Sequence, residues 1–230
     1  MLVQMFQASG FQLFGIIHWV FIVLPAMLSA FFLFSCSRWS ESKQQKYANA
    51  IFFFGLVMVL AGCIERHVMP LQFCNATLLI LVPGVLYWRS KVCADLLIGF
   101  SSMACLLAMI TPILNAQSSW FSCITYFSYH AVNVLFSVYA VTVLKMKLNK
   151  RSIWSIVICV NLYAACVFLW DLHFHTDYCV LLYKPRYHTL FDAFSAWPWY
   201  IFEAELVGFF YAVICYLLLN SYRKKPVVTN

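Results

Sequence analysis

Four side chains that can carry acyl chemistry fall inside apolar stretches of this sequence: His18, Cys74, His130 and Glu205. A cysteine attacks an ester carbonyl as the thiolate, and apolar surroundings disfavour that form. An imidazole that takes the thiol proton and stays beside the anion offsets the penalty, so Cys74 with His130 makes a nucleophile–base pair. Tyr126, His130 and Asn133 stand at i, i+4 and i+7, which puts them on one helical stripe. Glu205 or His18 is the candidate third group that orients the imidazole. Glu203 and Glu205 are about 200° apart on a helix, so at most one of them faces a bundle interior. The other nine cysteines are scattered singly with no CxxC pair, against a disulfide framework or a zinc ribbon. A lone membrane cysteine is ordinarily a small packing residue.

A second constellation is His173-Phe174-His175-Thr176-Asp177. In an extended segment its two imidazoles and carboxylate share one face, a set that suits a transition metal. Plain loop polarity explains the same residues, and neither metal nor other cofactor is assigned.

The elements that must position these groups are membrane helices. Of 230 residues, 64% are hydrophobic, 19% aromatic and 10% charged. Soluble domains average about 45–50% apolar and about 25% charged. That excludes most soluble enzymes, nucleic-acid-binding modules and disordered regulators. Uninterrupted apolar runs fall at roughly 11–35, 48–64, 70–87, 95–115, 120–144, 153–170 and 198–219, seven segments of about the length a bilayer requires. The first reads as a span rather than a signal peptide, because residues 1–10 carry no positive charge. The second is short and ends near Glu65-Arg66-His67. The expected fold is therefore all-α, a single polytopic bundle of seven transmembrane helices over residues 1–230.

The 15 lysines and arginines then set orientation. Twelve follow spans one, three, five and seven, and only Arg66, Lys184 and Arg186 fall on the opposite side. The positive-inside rule puts the N-terminus outside and the C-terminus in the cytoplasm. With that orientation, His18 lies roughly 10 Å deep, Cys74 roughly 6–9 Å, Glu205 roughly 9–12 Å and His130 about 8 Å, counted at about 1.5 Å per residue. One polar layer in the outer half of the membrane is the result, at the level of a lipid ester. The long outer connection, about 171–197, is polar and aromatic and reads as a packed lid. Asp177, Trp197, Trp199 and Tyr200 are its substrate or lid candidates, the aromatic cluster belonging at headgroup level.

Other seven-span readings fail on particular residues. No lysine lies inside a span to anchor retinal, and there is neither a Gly-rich phosphate loop nor a GxSxG elbow. Trp88-Arg89-Ser90 stands where a G-protein-coupled receptor would carry its basic-acidic triplet.

These residues resemble the YwaF-like integral membrane family, which includes the acyltransferase transmembrane protein 164. Pro70-Leu71-Gln72-Phe73-Cys74 is similar to the family's PLHLC segment, and Thr111-Pro112 to its Thr-Pro. Tyr126-Phe127-Ser128-Tyr129-His130 resembles FFxSH, and Asn161-Leu162-Tyr163 its Asn-Leu-Tyr. His175-Thr176-Asp177-Tyr178, Lys184-Pro185, Leu190-Phe191-Asp192 and Ser195-Ala196-Trp197-Pro198-Trp199-Tyr200 follow GTNY, KP, LLD and GPWPWY in order. The family's last-span Glu falls on Glu205 and its first-span His on His18. Gln72 replaces a His, Asp177 an Asn, and Ser195-Ala196 a Gly-Pro. The resemblance implies a seven-helix acyltransferase moving fatty acyl chains among glycerophospholipids, with Cys74 as nucleophile and His130 as base.

The expected function is thus acyl transfer from a phospholipid donor to a lysophospholipid acceptor, without nucleic acid. The alternatives are a metal-dependent lipid hydrolase using His173, His175 and Asp177 with His18 or His188, and a small-solute transporter or sensor. The last would need a polar path on the cytoplasmic half, where little stands beyond Asp95.

Overall fold

A computed structural model describes residues 10–185 and 189–221. Arg186 and His188 of the outer connection, and Arg223, Lys224 and Lys225 of the C-terminal basic cluster, lie outside the described residues. The described chain is all-helical, with seven principal helices. They are α1 (Ile16–Cys36), α2 (Glu41–Arg66), α3 (Phe73–Leu86), α4 (Lys91–Ile110), α5 (Trp120–Thr142), α6 (Lys150–Phe174) and α7 (Trp199–Ser221). A single 3₁₀ turn, Leu190–Ala193, interrupts the connection before α7.

Five of these, α1, α2, α4, α6 and α7, are long and apolar enough to cross a membrane. Helix α3 is apolar but shorter, and α5 is long but carries Tyr126, Tyr129, His130 and Asn133 among its buried residues. The exposed surface of α1, α6 and α7 is a continuous run of large apolar side chains, from Ile16 at 85% exposure to Leu218 at 64%. In water such a surface would be a severe aggregation liability; in lipid it is the ordinary outer face of a bundle.

The helix ends follow from local chemistry and correct three expected boundaries. The second apolar run was expected at 48–64, but α2 begins seven residues earlier, at Glu41. Its first residues, Glu41 to Lys46, are mostly good helix formers. Gln44 Nε2 ties that turn back by donating to the Cys36 and Trp39 carbonyls at 2.8 and 3.0 Å. Helix α4 stops at Ile110, before the expected 115, because Pro112 cannot continue it and disfavours helical backbone at Thr111. Helix α6 runs to Phe174, past the expected 170, so Asp171 and His173 belong to a helix and not to the loop.

Helix α5 is the axis of the bundle, packed by α1, α2 and α4, while α6 and α7 close on α4. Gly55 and Gly62 let α2 lie close along it: a Cβ on Gly55 would stand 2.8 Å from Val132 Cγ1. Helices α3 and α4 each widen into π turns, Thr77–Leu81 and Leu97–Ser101, and are pinned there by Thr77 Oγ1 to Ser101 Oγ at 2.8 Å. At the opposite end, Lys91 pairs with the buried Asp95 and donates to Ser152 Oγ at 2.8 Å, joining α4 to α6.

Candidate functional site

Cys74 sits in the first turn of α3, two residues after Gln72, the N-cap of the helix. Asn133 of α5 donates from Nδ2 to the Cys74 carbonyl at 2.8 Å, so this turn is held against the His130 face of α5. The Cys74 thiol lies beside Cys105 of α4, within the electrostatic neighbourhood of Tyr126 and Tyr129. Cys105 in turn stands 3.9 Å from Ser101 Oγ.

His130 is buried between two phenol rings, with centroid distances of 4.3 Å to Tyr126 and 4.2 Å to Tyr129. Its Nδ1 is 2.7 Å from the Tyr126 carbonyl oxygen. A carbonyl only accepts, so the proton is on Nδ1 and Nε2 keeps its lone pair. That is the tautomer a general base needs, and a backbone carbonyl sets it. Tyr126 is itself fixed, its hydroxyl donating to the Ala108 carbonyl at 3.1 Å. Cys74, Tyr126, His130 and Asn133 are therefore gathered where α3, α4 and α5 meet.

The two expected orienting groups are elsewhere. His18 is fully buried, but its Nε2 donates to the Met109 carbonyl at 2.7 Å and its Nδ1 accepts the Phe14 N–H at 2.9 Å. Nε2 ties α1 to α4 and Nδ1 holds the approach to α1, so neither ring nitrogen is left for His130. Glu205 accepts from Asn161 Nδ2 at 2.5 Å and links α7 to α6. Glu203 accepts the Ser195 N–H at 2.7 Å and organises the approach to α7. The group that holds the His130 ring is instead the Tyr126 carbonyl, which is invisible to a search by side-chain type.

Helix α6 and the connection that follows it pack down on the start of α3. Tyr163 donates to the Leu71 carbonyl at 2.8 Å, the Tyr178 hydroxyl accepts the Met69 N–H at 2.9 Å, and the Cys179 N–H donates to Gln72 Oε1 at 2.9 Å. Burial pushes the Cys179 thiol up to about 12, so it is held as the neutral thiol. Tyr200 is buried with its hydroxyl on the Val180 carbonyl at 2.8 Å. Trp197 donates to the Leu181 carbonyl at 3.2 Å, yet it and Trp199 are 54% and 64% exposed, so both present their rings outward.

Asp171, read from sequence as loop polarity, is a fully buried carboxylate. It accepts from Thr176 Oγ1 at 2.7 Å and from the Tyr178 N–H at 2.9 Å. Asp171→Ala leaves these donors unpaired and is expected to loosen the connection by about 3 kcal/mol. Hydrogen exchange at the Tyr178 amide measures the loss, and unchanged protection would refute it.

The HxHxD segment is not extended: His173 lies in the last turn of α6, which ends at Phe174, and His175 adopts the left-handed conformation with φ 54°. Its three side chains thus do not share a face, and among the described residues no group of three metal-ligating side chains is assembled. Asp177 instead accepts the Leu182 N–H at 3.0 Å, and burial pushes its carboxyl above the ordinary range. The folded chain then holds that proton more tightly than the unfolded one, and Asp177 costs stability as pH rises through the carboxylate range. Asp177→Asn is expected to melt higher than the wild type at neutral pH, with the difference vanishing in acid. Melting curves across that range are the check.

Sequence reasoning passed over Arg66 except as a charge. Its Nε donates to the Gly62 carbonyl at 2.9 Å, and the guanidinium lies against the Tyr129 hydroxyl, beside the His130 sandwich. The signal available was its isolation, as one of the three basic residues that the sequence sets apart from the other twelve.

Neither the curated proteins nor the solved structures contain a significant match to this sequence. A sequence model of the TMEM164 family does match, over residues 13–217. That span takes in all the apolar helices nearly end to end and every residue of the Cys74–His130 site, and the chain is accordingly a membrane protein of the TMEM164 family.

Proposed function

We propose that this protein is an integral membrane acyltransferase that moves a fatty acyl chain between glycerophospholipids through a Cys74 thioester. The observation that carries it is the 2.7 Å contact of His130 Nδ1 with the Tyr126 carbonyl, which leaves Nε2 as the basic nitrogen, on the helix that also grips the Cys74 turn through Asn133. In the first step His130 Nε2 takes the thiol proton and Cys74 Sγ attacks the ester carbonyl of a donor phospholipid. The sulfur–carbon bond forms, the ester C–O bond breaks, and the leaving alkoxide recovers the proton from the imidazolium. In the second step an acceptor lysophospholipid hydroxyl gives its proton to Nε2 and its oxygen attacks the thioester; the ester C–O bond forms, the sulfur–carbon bond breaks, and the leaving Cys74 thiolate takes the proton back from the imidazolium. No cofactor enters either step.

The same proposal takes all seven helices as spans, with the N-terminus outside and the C-terminus in the cytoplasm. It is supported by the distribution of basic residues, 12 of 15 on one side. The reacting layer is then in the outer leaflet, with the α6–α7 connection as its cover.

The test is direct capture of the intermediate. Full-length protein in lipid discs, given a phospholipid labelled in its acyl chain, is expected to retain label that hydroxylamine releases and that maps to the Cys74 peptide. Label absent from the wild type, or equal in Cys74→Ala, would sink the proposal.

A further inference from the structure

Above the Cys74 turn is a cavity of about 250 Å³ lined by Arg66, Gln72, Asn75, Thr176, Asp177 and Tyr178 among others. Its polar groups have unspent hydrogen-bonding capacity, and most of it is donor capacity. Arg66 spends its Nε on Gly62 and makes no ion pair among the described residues, because its neighbour Glu65 is engaged by Ser119 and Ser122 at 2.6 and 2.7 Å. Gln72 uses Oε1 to hold the Cys179 N–H, which leaves the two Nε2 hydrogens free. The Tyr178 hydroxyl accepts from Met69 and keeps its own hydrogen to give.

Asn75 is the independent sign that something is bound here. It is 1% exposed, its Oδ1 has no partner, and its Nδ2 meets only the weak acceptor Cys63 Sγ at 3.6 Å. Turning the amide over gives Oδ1 the Cys63 S–H and leaves the N–H without an acceptor, on a residue that lines the cavity. A buried amide left half-satisfied costs about 1–3 kcal/mol, which a bound acceptor would recover. Thr176 contributes no donor, since its hydroxyl is spent on Asp171. The carboxylate of Asp177 is the one opposing charge; it belongs to the α6–α7 connection and is held by the Leu182 N–H.

We propose that this cavity holds the phosphodiester of a glycerophospholipid headgroup, with Arg66 as the anion anchor and Gln72, Asn75 and Tyr178 as neutral donors. The proposal rests on acyl transfer at Cys74 and names where that substrate is gripped. Asn75 follows Cys74 in the chain and Arg66 lies against Tyr129, so a phosphate here sets the glycerol ester a few bonds away, next to the nucleophile and base. A guanidinium suits the role because its planar fork matches two phosphate oxygens at once. The lipid source follows from position, at the end of the apolar belt.

The experiment measures binding by thermal stabilisation of the detergent-solubilised full-length chain with three probes: a short-chain phosphatidylcholine, a diacylglycerol of the same chains, and inorganic phosphate. The expected result is at least tenfold weaker phosphatidylcholine binding by Arg66→Gln, a smaller loss for Arg66→Lys, and unchanged diacylglycerol binding. If Arg66→Gln fails to fold, Arg66→Lys decides, since an ammonium cannot reproduce the fork. Equal phosphatidylcholine affinity in wild type and variant would overturn the proposal. So would a parallel loss of diacylglycerol binding, which marks a packing role, or Arg66-dependent stabilisation by inorganic phosphate alone, which marks a free-anion site. Cys74→Ala separates the two proposals. It is expected to bind phosphatidylcholine as the wild type does while forming no thioester; Arg66-dependent binding in a wild type that forms no thioester would sink acyl transfer and leave the phosphate site standing.

Discussion

Cys74→Ala is expected to lower acyl exchange between a defined phospholipid and lysophospholipid by about a thousandfold or more, the scale of losing a covalent nucleophile. The substitution removes one sulfur from the first turn of α3, where the fold depends on backbone groups: the Asn133 bond to the Cys74 carbonyl and the Tyr163 bond to the Leu71 carbonyl both survive it. Stability should therefore change by only about 1 kcal/mol, the typical cost of a point substitution. Cys74→Ser keeps size and polarity but presents an alcohol that is far harder to ionise, so it should be nearly as inactive. The measurement is product formation by mass spectrometry at matched protein fold, checked by size-exclusion profile and melting. An alanine variant that exchanges acyl chains at the wild-type rate would remove Cys74 from the chemistry.

His130→Gln is expected to cost about 10²–10⁴-fold, the usual contribution of a positioned general base. Glutamine preserves a side-chain N–H for the Tyr126 carbonyl and much of the volume between the two phenol rings, so lost packing is separable from lost proton transfer. Without the imidazole the thiol must ionise into water. The variant's rate should then rise about tenfold per pH unit below the thiol pKa, while the wild type, with its base in place, responds less steeply. A variant whose rate is low but whose pH dependence matches the wild type would mean that His130 supports the site and does not move the proton. Asn133→Ala is the companion control. It strips the Cys74 carbonyl of its donor and should lower the rate without changing the pH profile.

Much of this arrangement was legible in the sequence because membrane proteins spend polar residues sparingly. The stripe Tyr126, His130 and Asn133 could be read from spacing alone, since helical periodicity is local and α5 keeps it. Cys74 stood out by its position four residues after Pro70. The partners of these groups could not be read in the same way. His18 and Glu205 were expected at the depth of His130, and depth was the one coordinate the sequence offered. The second coordinate, rotation about each helix axis, is decided by packing. It turns His18 onto the Met109 carbonyl and Glu205 onto Asn161. HxHxD failed for a related reason: α6 continues through His173 and reverses at His175, so the alternation that would have aligned its ligands is absent.

What the sequence by itself determined is the class and the cast: a helical membrane protein with one cysteine and one histidine on helices able to bring them together. Those follow from apolar runs, charge positions and 3.6-residue periodicity, which are properties of short segments. Only the tertiary structure decided which polar groups meet. It set a backbone carbonyl on His130 Nδ1, put Arg66 beside the two tyrosines, and left an unsatisfied amide at Asn75, a residue that lines a cavity. The physical reason is that these meetings depend on how closely α2 approaches α5 at Gly55 and where α3 and α4 widen, and close packing between distant segments has no local signature.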